Sequence, residues 1–195
     1  EIHKIQHLKL RARNPLYDAR EVFLFECYTG IRISDILTLK WKHITDEKIS
    51  IRMRKTEKLL SIPINDYVRA VLDRRRCAVE NNGGKITSEK YVFNILKVDV
   101  DEVSAQDALN AISSATAVIN KQLKKIAKKT GIDKNLSTHC ARHSYATALL
   151  TNNIPLPVIK EMLGHSDIKV TQIYAKVVDS KRNEVVECLN KVYHG

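Results

Sequence analysis

The chain has 195 residues and a formal net charge of +11, with 33 Lys and Arg against 22 Asp and Glu. Hydrophobic residues make up 44% of the chain and there are only 6 Gly and 4 Pro, which excludes a disordered tail or a low-complexity array. The length is sufficient for the core of one domain, and every apolar run is far shorter than the ~20 residues that cross a bilayer. We therefore expect one globular domain, with no signal peptide and no membrane partner.

Helical spacing dominates the first forty residues. Asn14 followed by Pro15 is typical of a helix start, and apolar residues repeat at helical spacing as far as Cys27. Gly30 suits the left-handed residue that ends such a helix. Ser34 is expected to cap a short second helix.

Between residues 48 and 64 the apolar period changes to that of a strand. Ile49 and Ile51 alternate with polar residues, and Leu60 and Ile62 do the same beyond a charged segment, residues 54–58. This pattern predicts a β-hairpin with a charged tip.

Further helices are predicted beyond the hairpin. Four helices are expected, and the residues that mark the start and the end of each are, in chain order, Asn65 to Asn81, Ser104 to Gly131, Thr138 to Leu150, and Pro155 to Gly164. Ser166 and Ser180 are expected to cap two more. The predicted fold class is α+β and mostly helical, with one small antiparallel β-sheet.

The distribution of charge and of cysteine adds two expectations. A pI near 9.5 favours polyanionic partners. One segment without an acid is especially basic and holds Lys121, Lys124, Lys125, Lys128 and Lys129. The four cysteines form no CxxC pair, which excludes a zinc ribbon or a disulfide framework and predicts reduced thiols. Charge alone leaves a nucleic-acid interface and a solvated lysine surface both open.

A few residues could carry chemistry, although each has an ordinary structural explanation when taken singly. His139 and Arg142 are three apart on a predicted helix and share a face. Arg32 lies in the break between two helices. His165 follows a glycine, Tyr174 belongs to an apolar stripe, and Lys55 lies at the hairpin tip.

Their order along the chain is nevertheless distinctive. Residues 29–41 read TGIRISDILTLKW, residues 139–144 read HCARHS, and residues 163–166 read LGHS, with Tyr174 nine residues after His165. These strings resemble the first arginine box, the His-x-x-Arg box and the third box of the tyrosine recombinases, the phage integrase family. The Lys55-Thr56 pair resembles the family's hairpin lysine. The resemblance extends from about Val22 to Val178, with Asp35 where the family often has glutamate.

The resemblance implies a site-specific DNA recombinase (integrase) that exchanges a phosphodiester for a 3′-phosphotyrosyl bond, without ATP, metal or other cofactor. Tyr174 would be the nucleophile, with Tyr193 or Tyr145 next in line. Arg32, Arg142 and His165 would bind the scissile phosphate, and His139 would accept the tyrosine proton. Lys55 would protonate the leaving oxygen, with Lys58 as the alternative.

The same resemblance implies double-stranded DNA as the partner, in a cytoplasmic, nucleoid-associated setting. It implies a homotetramer on DNA, a monomer without DNA, and room for accessory DNA-bending proteins. A type IB topoisomerase and a non-catalytic DNA-binding module stay open as alternatives.

The resemblance also divides the chain. Residues 1–179 would form the catalytic domain, and residues 180–195 a C-terminal helical tail of that domain. The tail would pack on its own domain or be exchanged between protomers. Members of the family usually carry an N-terminal DNA-binding domain, and since 31 residues precede Arg32 we expect that domain to be absent from this chain.

Overall fold

The structure, a computed structural model, describes residues 1–12 and 14–165. In these residues the α-helices are α1 (Ile2–Gln6), α2 (Pro15–Thr29), α3 (Ile33–Leu37), α4 (Asp66–Glu80), α5 (Ala105–Thr130), α6 (Thr138–Thr151) and α7 (Leu156–Met162). The strands are β1 (Lys48–Arg52) and β2 (Leu59–Pro63), which pair antiparallel. A 3₁₀ turn covers Trp41–His43. This architecture confirms the predicted mostly helical α+β class with one small sheet.

Helix α2 is the centre of the domain. Val22, Leu24 and Phe25 are completely buried, because α1, α4, α5 and α6 all pack against this helix. Burial on every side fixes the C-terminal end of α2, where Gly30 takes the left-handed conformation with φ of +66°. The chain leaving that end is therefore held in the interior of the domain.

The hairpin has the register that alternation predicts. Ile49 pairs with Ile62, and Ile51 pairs with Leu60, so the apolar side chains share one face. The tip is closed by the main chain of Met53, whose N–H donates to Lys58 O at 2.9 Å and whose carbonyl accepts from Glu57 N at 2.9 Å. The charged tip expected from the sequence is confirmed.

Several helix ends follow the local signals. The side chains of Asn14, Asn65 and Ser104 accept hydrogen bonds from main-chain N–H groups in the first turns of α2, α4 and α5. Gly131 ends α5 with φ of +61°. Helix α1 has no counterpart among the predicted elements.

Two predicted caps are wrong. Helix α3 begins directly after Arg32, with no side-chain cap, so Ser34 lies inside its first turn. Helix α6 is capped by Ser137, whose Oγ accepts from Cys140 N at 3.4 Å, rather than by Thr138. Thr138 is instead the first residue of the helix, and its N–H donates to the Asn120 side chain of α5 at 2.9 Å.

The helices expected after Ser166 and Ser180, the tail of residues 180–195 and Tyr174 lie outside the described residues. Among residues 1–12 and 14–165, no helix has the length and apolarity needed to cross a membrane. Cys27, Cys77 and Cys140 carry free thiols.

Candidate active site

The guanidinium of Arg142 is held at the meeting point of three segments. Arg142 lies on α6 and is 8% exposed. Its Nη1 donates to Gly30 O, and its Nη2 donates to Leu163 O at 2.6 Å and lies 2.9 Å from His165 Nε2. Gly30 and Leu163 follow the C-terminal ends of α2 and α7, where the helix dipole favours a cation. None of these acceptors carries a full negative charge, so they orient the guanidinium without neutralising it.

Arg32 contacts the same segment as Arg142, one residue further along the chain. It is half-buried at the start of α3, and its Nη2 donates to Gly164 O at 3.4 Å. Its Nη1 lies 3.2 Å from Met53 Sδ on the hairpin. Arg32 and Arg142 therefore contact consecutive carbonyls, those of Gly164 and Leu163, although they are 110 positions apart in the chain.

Glycine is required at both turning points of the site. Gly30 and Gly164 have φ of +66° and +61°, a region that side chains disfavour. A Cβ on Gly30 would collide with the Tyr145 ring, and a Cβ on Gly164 would collide with the Met53 thioether. The two carbonyl acceptors thus come from positions that no other residue fits without rearrangement.

His165 is neutral in this setting. Burial, followed by the neighbouring Arg142 and Arg32 charges, lowers the pKa of His165 to about 4. Since Arg142 can only donate, His165 Nε2 accepts, and this places the ring proton on Nδ1. A neutral imidazole with its proton on Nδ1 can donate to an anionic oxygen and adds no charge of its own.

His139 pairs with a histidine that sequence reasoning missed. His139 is exposed in the first turn of α6, and its Nε2 lies 2.5 Å from Nε2 of His143. The two rings meet edge to face, with centroids 4.1 Å apart. Burial, then His139 and Arg142, lower the pKa of His143. The spacing of four residues on a helix is the signal that could have found this pair.

The hairpin tip stands beside the arginines, with its lysines exposed. Neither the Lys55 nor the Lys58 side chain makes a hydrogen bond or ion pair within residues 1–12 and 14–165. The base of the tip is tied to α3 by Asp35, a residue of the first box to which the sequence analysis gave no role in the site. Asp35 Oδ1 accepts from Arg54 N at 2.9 Å, and burial raises the pKa of its carboxyl. The general-acid role stays a prediction for Lys55, with Lys58 as the alternative.

Among the tyrosines considered as nucleophile, Tyr145 has a structural position. It is 9% exposed in a small cluster with Ile159 and Leu163, and its ring packs against Gly30. Burial raises the pKa of Tyr145, which disfavours the phenolate needed for attack. Tyr174 and Tyr193 lie outside the described residues, so the assignment of Tyr174 stays a prediction.

Residues 3–181 match the model of the phage integrase family. The chain belongs to this family. Tyrosine recombinase XerD of Listeria monocytogenes (serotype 4b, strain F2365) is 48% identical over 160 residues, which cover 80% of this chain and 49% of XerD. Tyrosine recombinase XerA of Saccharolobus solfataricus is 30% identical over 163 residues, which cover 83% of this chain and 47% of XerA. The integrase-family chain spans about half the length of these curated relatives.

Solved structures share its fold. The XerH site-specific recombinase, bound to a palindromic difH substrate in a post-cleavage complex, superposes with a TM-score of 0.65 at 21% identity over 97% of this chain and 49% of XerH. The XerA recombinase structure gives a TM-score of 0.64 at 22% identity over 93% of this chain and 59% of XerA. The fold of this phage integrase family member is therefore that of tyrosine recombinases.

Proposed function

We propose that this chain catalyses site-specific DNA recombination, by breaking and rejoining strands through a 3′-phosphotyrosyl bond. The observation that carries the proposal is the convergence of Arg32 and Arg142 on the consecutive carbonyls of Leu163 and Gly164, beside the neutral His165. Two guanidinium groups can donate to the non-bridging oxygens of one phosphate, where charge develops during in-line attack. Family membership supports the same reading.

In the proposed reaction the Tyr174 oxygen attacks the scissile phosphorus. A P–O bond to tyrosine forms, the P–O bond to the 5′ oxygen breaks, and the number of phosphodiester bonds is unchanged. The energy of the phosphodiester is therefore conserved for rejoining, and the 5′ hydroxyl of another strand attacks the phosphotyrosine in the reverse reaction. Arg32, Arg142 and His165 stabilise the charge on the non-bridging oxygens in both directions.

Two proton transfers accompany these steps. A tyrosine has an ordinary pKa near 10, so Tyr174 needs a base at neutral pH, and we assign this role to His139. The contact between His139 and His143 orients the accepting ring. The leaving 5′ oxygen takes a proton from Lys55, on the exposed hairpin tip.

The proposed partner is double-stranded DNA, with four copies of the chain on the recombining sites and a monomer in the absence of DNA. The formal charge of +11 supports a polyanionic partner. Two double-strand sites contain four scissile phosphates, so four active sites meet the stoichiometry of a complete exchange. Accessory DNA-bending proteins would assist that assembly.

The test is covalent capture. The protein is incubated with a pool of nicked suicide duplexes of randomised sequence, from which the cleaved flank diffuses away, and adducts that survive SDS are recovered. We expect an adduct with the wild-type protein and with Tyr145→Phe, and none with Tyr174→Phe. Tyr145→Phe is a matched control because it makes the same tyrosine-to-phenylalanine change at a buried position of α6.

Two results would contradict the proposal. DNA binding without an SDS-resistant adduct would identify a non-catalytic DNA-binding module. Relaxation of supercoiled plasmid by a monomer, without paired recombination sites, would identify a type IB topoisomerase activity instead.

A further inference from the structure

Met53 contacts three parts of the candidate site: Arg32, the hairpin tip and Gly164. It follows the last residue of β1 and is 1% exposed. Its Sδ lies 3.2 Å from Arg32 Nη1 and 3.9 Å from Thr56 Oγ1, and its thioether fills the space that a side chain on Gly164 would need. One methionine thus links the first arginine, the hairpin tip and the turn before His165.

The main chain of Met53 also closes the tip that carries the lysines. Its N–H and carbonyl both hydrogen-bond across the turn, to Lys58 and Glu57. The rest of the tip is weakly held, since Lys55, Glu57 and Lys58 are exposed and the sheet has only two strands in the described residues. Within the described residues, the Met53 side chain and the Asp35–Arg54 bond therefore attach the tip to the helical part of the domain.

A thioether suits this place chemically. Sulfur is a weak acceptor, so Arg32 can exchange it for a phosphate oxygen at little cost, whereas a carboxylate would compete with the phosphate. The flexible, polarisable side chain also fills the gap against Gly164, where no Cβ is present.

We propose that Met53 is a positioning residue, whose packing against Arg32 and Gly164 holds the hairpin tip where its lysine reaches the leaving oxygen. The proposal rests on the proposed function. Arg32 lies between α2 and α3, which are well buried, while the tip is exposed, so loss of the thioether displaces the tip rather than the arginine.

The first experiment compares Met53→Ala and Met53→Leu with the wild type in single-turnover cleavage. The two substrates are versions of a duplex sequence recovered by covalent capture. One has the ordinary scissile phosphate and the other has sulfur at the 5′-bridging position, a leaving group that needs no proton. We expect Met53→Ala to cleave the ordinary duplex about tenfold more slowly and the sulfur duplex at the wild-type rate, because only the general acid is displaced. Met53→Leu keeps the volume and should behave as wild type on both.

Ile49→Ala is the matched control. Ile49 is completely buried in the same hairpin, paired with Ile62, and the substitution removes a similar volume away from the site. We expect it to lower the melting temperature while leaving both cleavage rates unchanged well below that temperature. Three results would overturn the proposal. The first two are that Met53→Ala slows cleavage of both duplexes equally, or that it cleaves the ordinary duplex at the wild-type rate. The third is that Ile49→Ala shows the same slowing of the ordinary duplex alone.

A second readout needs no catalysis. Trypsin cleaves after the tip residues Arg54, Lys55 and Lys58. We expect this cleavage to be about tenfold faster in Met53→Ala than in the wild type, because an unanchored loop opens more often. Met53→Leu and Ile49→Ala should be cleaved at the wild-type rate. Equal nicking rates overturn the positioning role even if the wild type forms the adduct. Faster nicking without any wild-type adduct supports the anchor and refutes the proposed function.

Discussion

At the scale of single residues, the main feature of the site is that carbonyl oxygens hold Arg142. Gly30 O and Leu163 O accept from the guanidinium, and His165 Nε2 lies 2.9 Å from it. Carbonyls orient a guanidinium through its fork of N–H groups while leaving its net charge in place. The arrangement is therefore suited to a side chain that must be both rigid and available to an anion.

A lysine in place of Arg142 should fail despite keeping the charge. A single ammonium cannot donate to Gly30 O and Leu163 O together and still face a phosphate. We expect Arg142→Lys to lower the single-turnover cleavage rate by about 10²–10³-fold, the loss typical of one oxyanion donor. Arg69→Lys is the control, since Arg69 is exposed on α4 and donates to Asp46 O. Cleavage by Arg142→Lys within tenfold of wild type would contradict this account.

Glu26 is a buried carboxyl beside the same arginine. It is 2% exposed, and within the described residues its Oε2 has no hydrogen-bond partner. Burial raises the pKa of Glu26 well above its ordinary value, and the Arg142 charge only partly opposes this effect. Burial thus favours the protonated carboxyl, which opposes the arginine charge less than a carboxylate would.

This protonation predicts a pH-dependent gain from Glu26→Gln. In the unfolded chain the carboxyl ionises near pH 4.3, whereas in the folded protein its raised pKa moves ionisation to higher pH, so wild-type stability falls as pH rises above about 4.3. Urea unfolding should show the glutamine variant gaining on wild type between pH 4 and pH 7, by about 1.4 kcal/mol for each unit of pKa shift. Glu80→Gln, at an exposed position of α4, should show no such trend. A gain for Glu26→Gln that does not change with pH would contradict the prediction.

The sequence predicts the charged residues of this site better than their surroundings. Arg32, Arg142 and His165 can be found because they stand in motifs, and the structure brings these three together. Glu26 lies inside a helix that is buried on every side, where no local pattern shows which neighbour it will face. Carbonyl acceptors such as Gly30 O carry no side-chain signal at all.

At the scale of elements, the ends of α2 and α7 define the site. Each helix is followed by a left-handed glycine, and Gly164 lies against the hairpin through Met53. Gly131 has the same φ of +61° as Gly164 but nothing within 4 Å of a Cβ. The chain therefore contains its own control for separating backbone strain from crowding.

Gly131→Ala and Gly164→Ala should differ for that reason. Both pay the left-handed cost of about 1 kcal/mol. Only Gly164→Ala also pushes Met53 away, so we expect a larger loss of unfolding free energy, together with faster tryptic nicking of the hairpin tip. Urea unfolding and limited proteolysis measure the two effects. If the two variants behave alike, the contact between Gly164 and Met53 has no energetic weight.

Element boundaries are predictable where the signal is local. Asn14 and Gly30 delimit α2 correctly, because a cap side chain and a left-handed glycine act within one turn. The start of α6 is missed by one residue, because Ser137 and Thr138 are both capping residue types, and the Thr138 N–H is bound by Asn120 of α5. A contact between residues 18 positions apart has no counterpart in the local sequence.

At the scale of the whole molecule, positive charge is concentrated on one face of α5. All five of its clustered lysines are exposed, on the side opposite the buried Leu123 and Ile126. Helix α5 ends at Thr130, and a short segment leads to α6, which carries His139 and Arg142. The lysine face therefore lies on the helix that precedes α6 in the chain, and its charge suits a phosphate backbone.

Two lysines of this face should account for part of the salt dependence of DNA binding. In Lys124→Gln combined with Lys128→Gln, the slope of log affinity against log salt should fall by about 0.9 for each phosphate contact removed. Lys85→Gln combined with Lys97→Gln lowers the net charge equally from another exposed segment and should change the slope less. Equal changes in the two double variants would mean that only total charge matters.

Arg32 and Arg142 donate to main-chain carbonyls, and this determines what a saturating mutational scan of the protein would show. No codon change removes the carbonyls of Gly30, Leu163 or Gly164, so the scan would never report them directly. It would instead report Gly30 and Gly164 as intolerant positions, equal in severity to the arginines that they support. Inactivating alleles would accordingly be found at Gly30 and Gly164, which have no side-chain functional group. Second-site revertants of Gly164 alleles would carry substitutions of Met53.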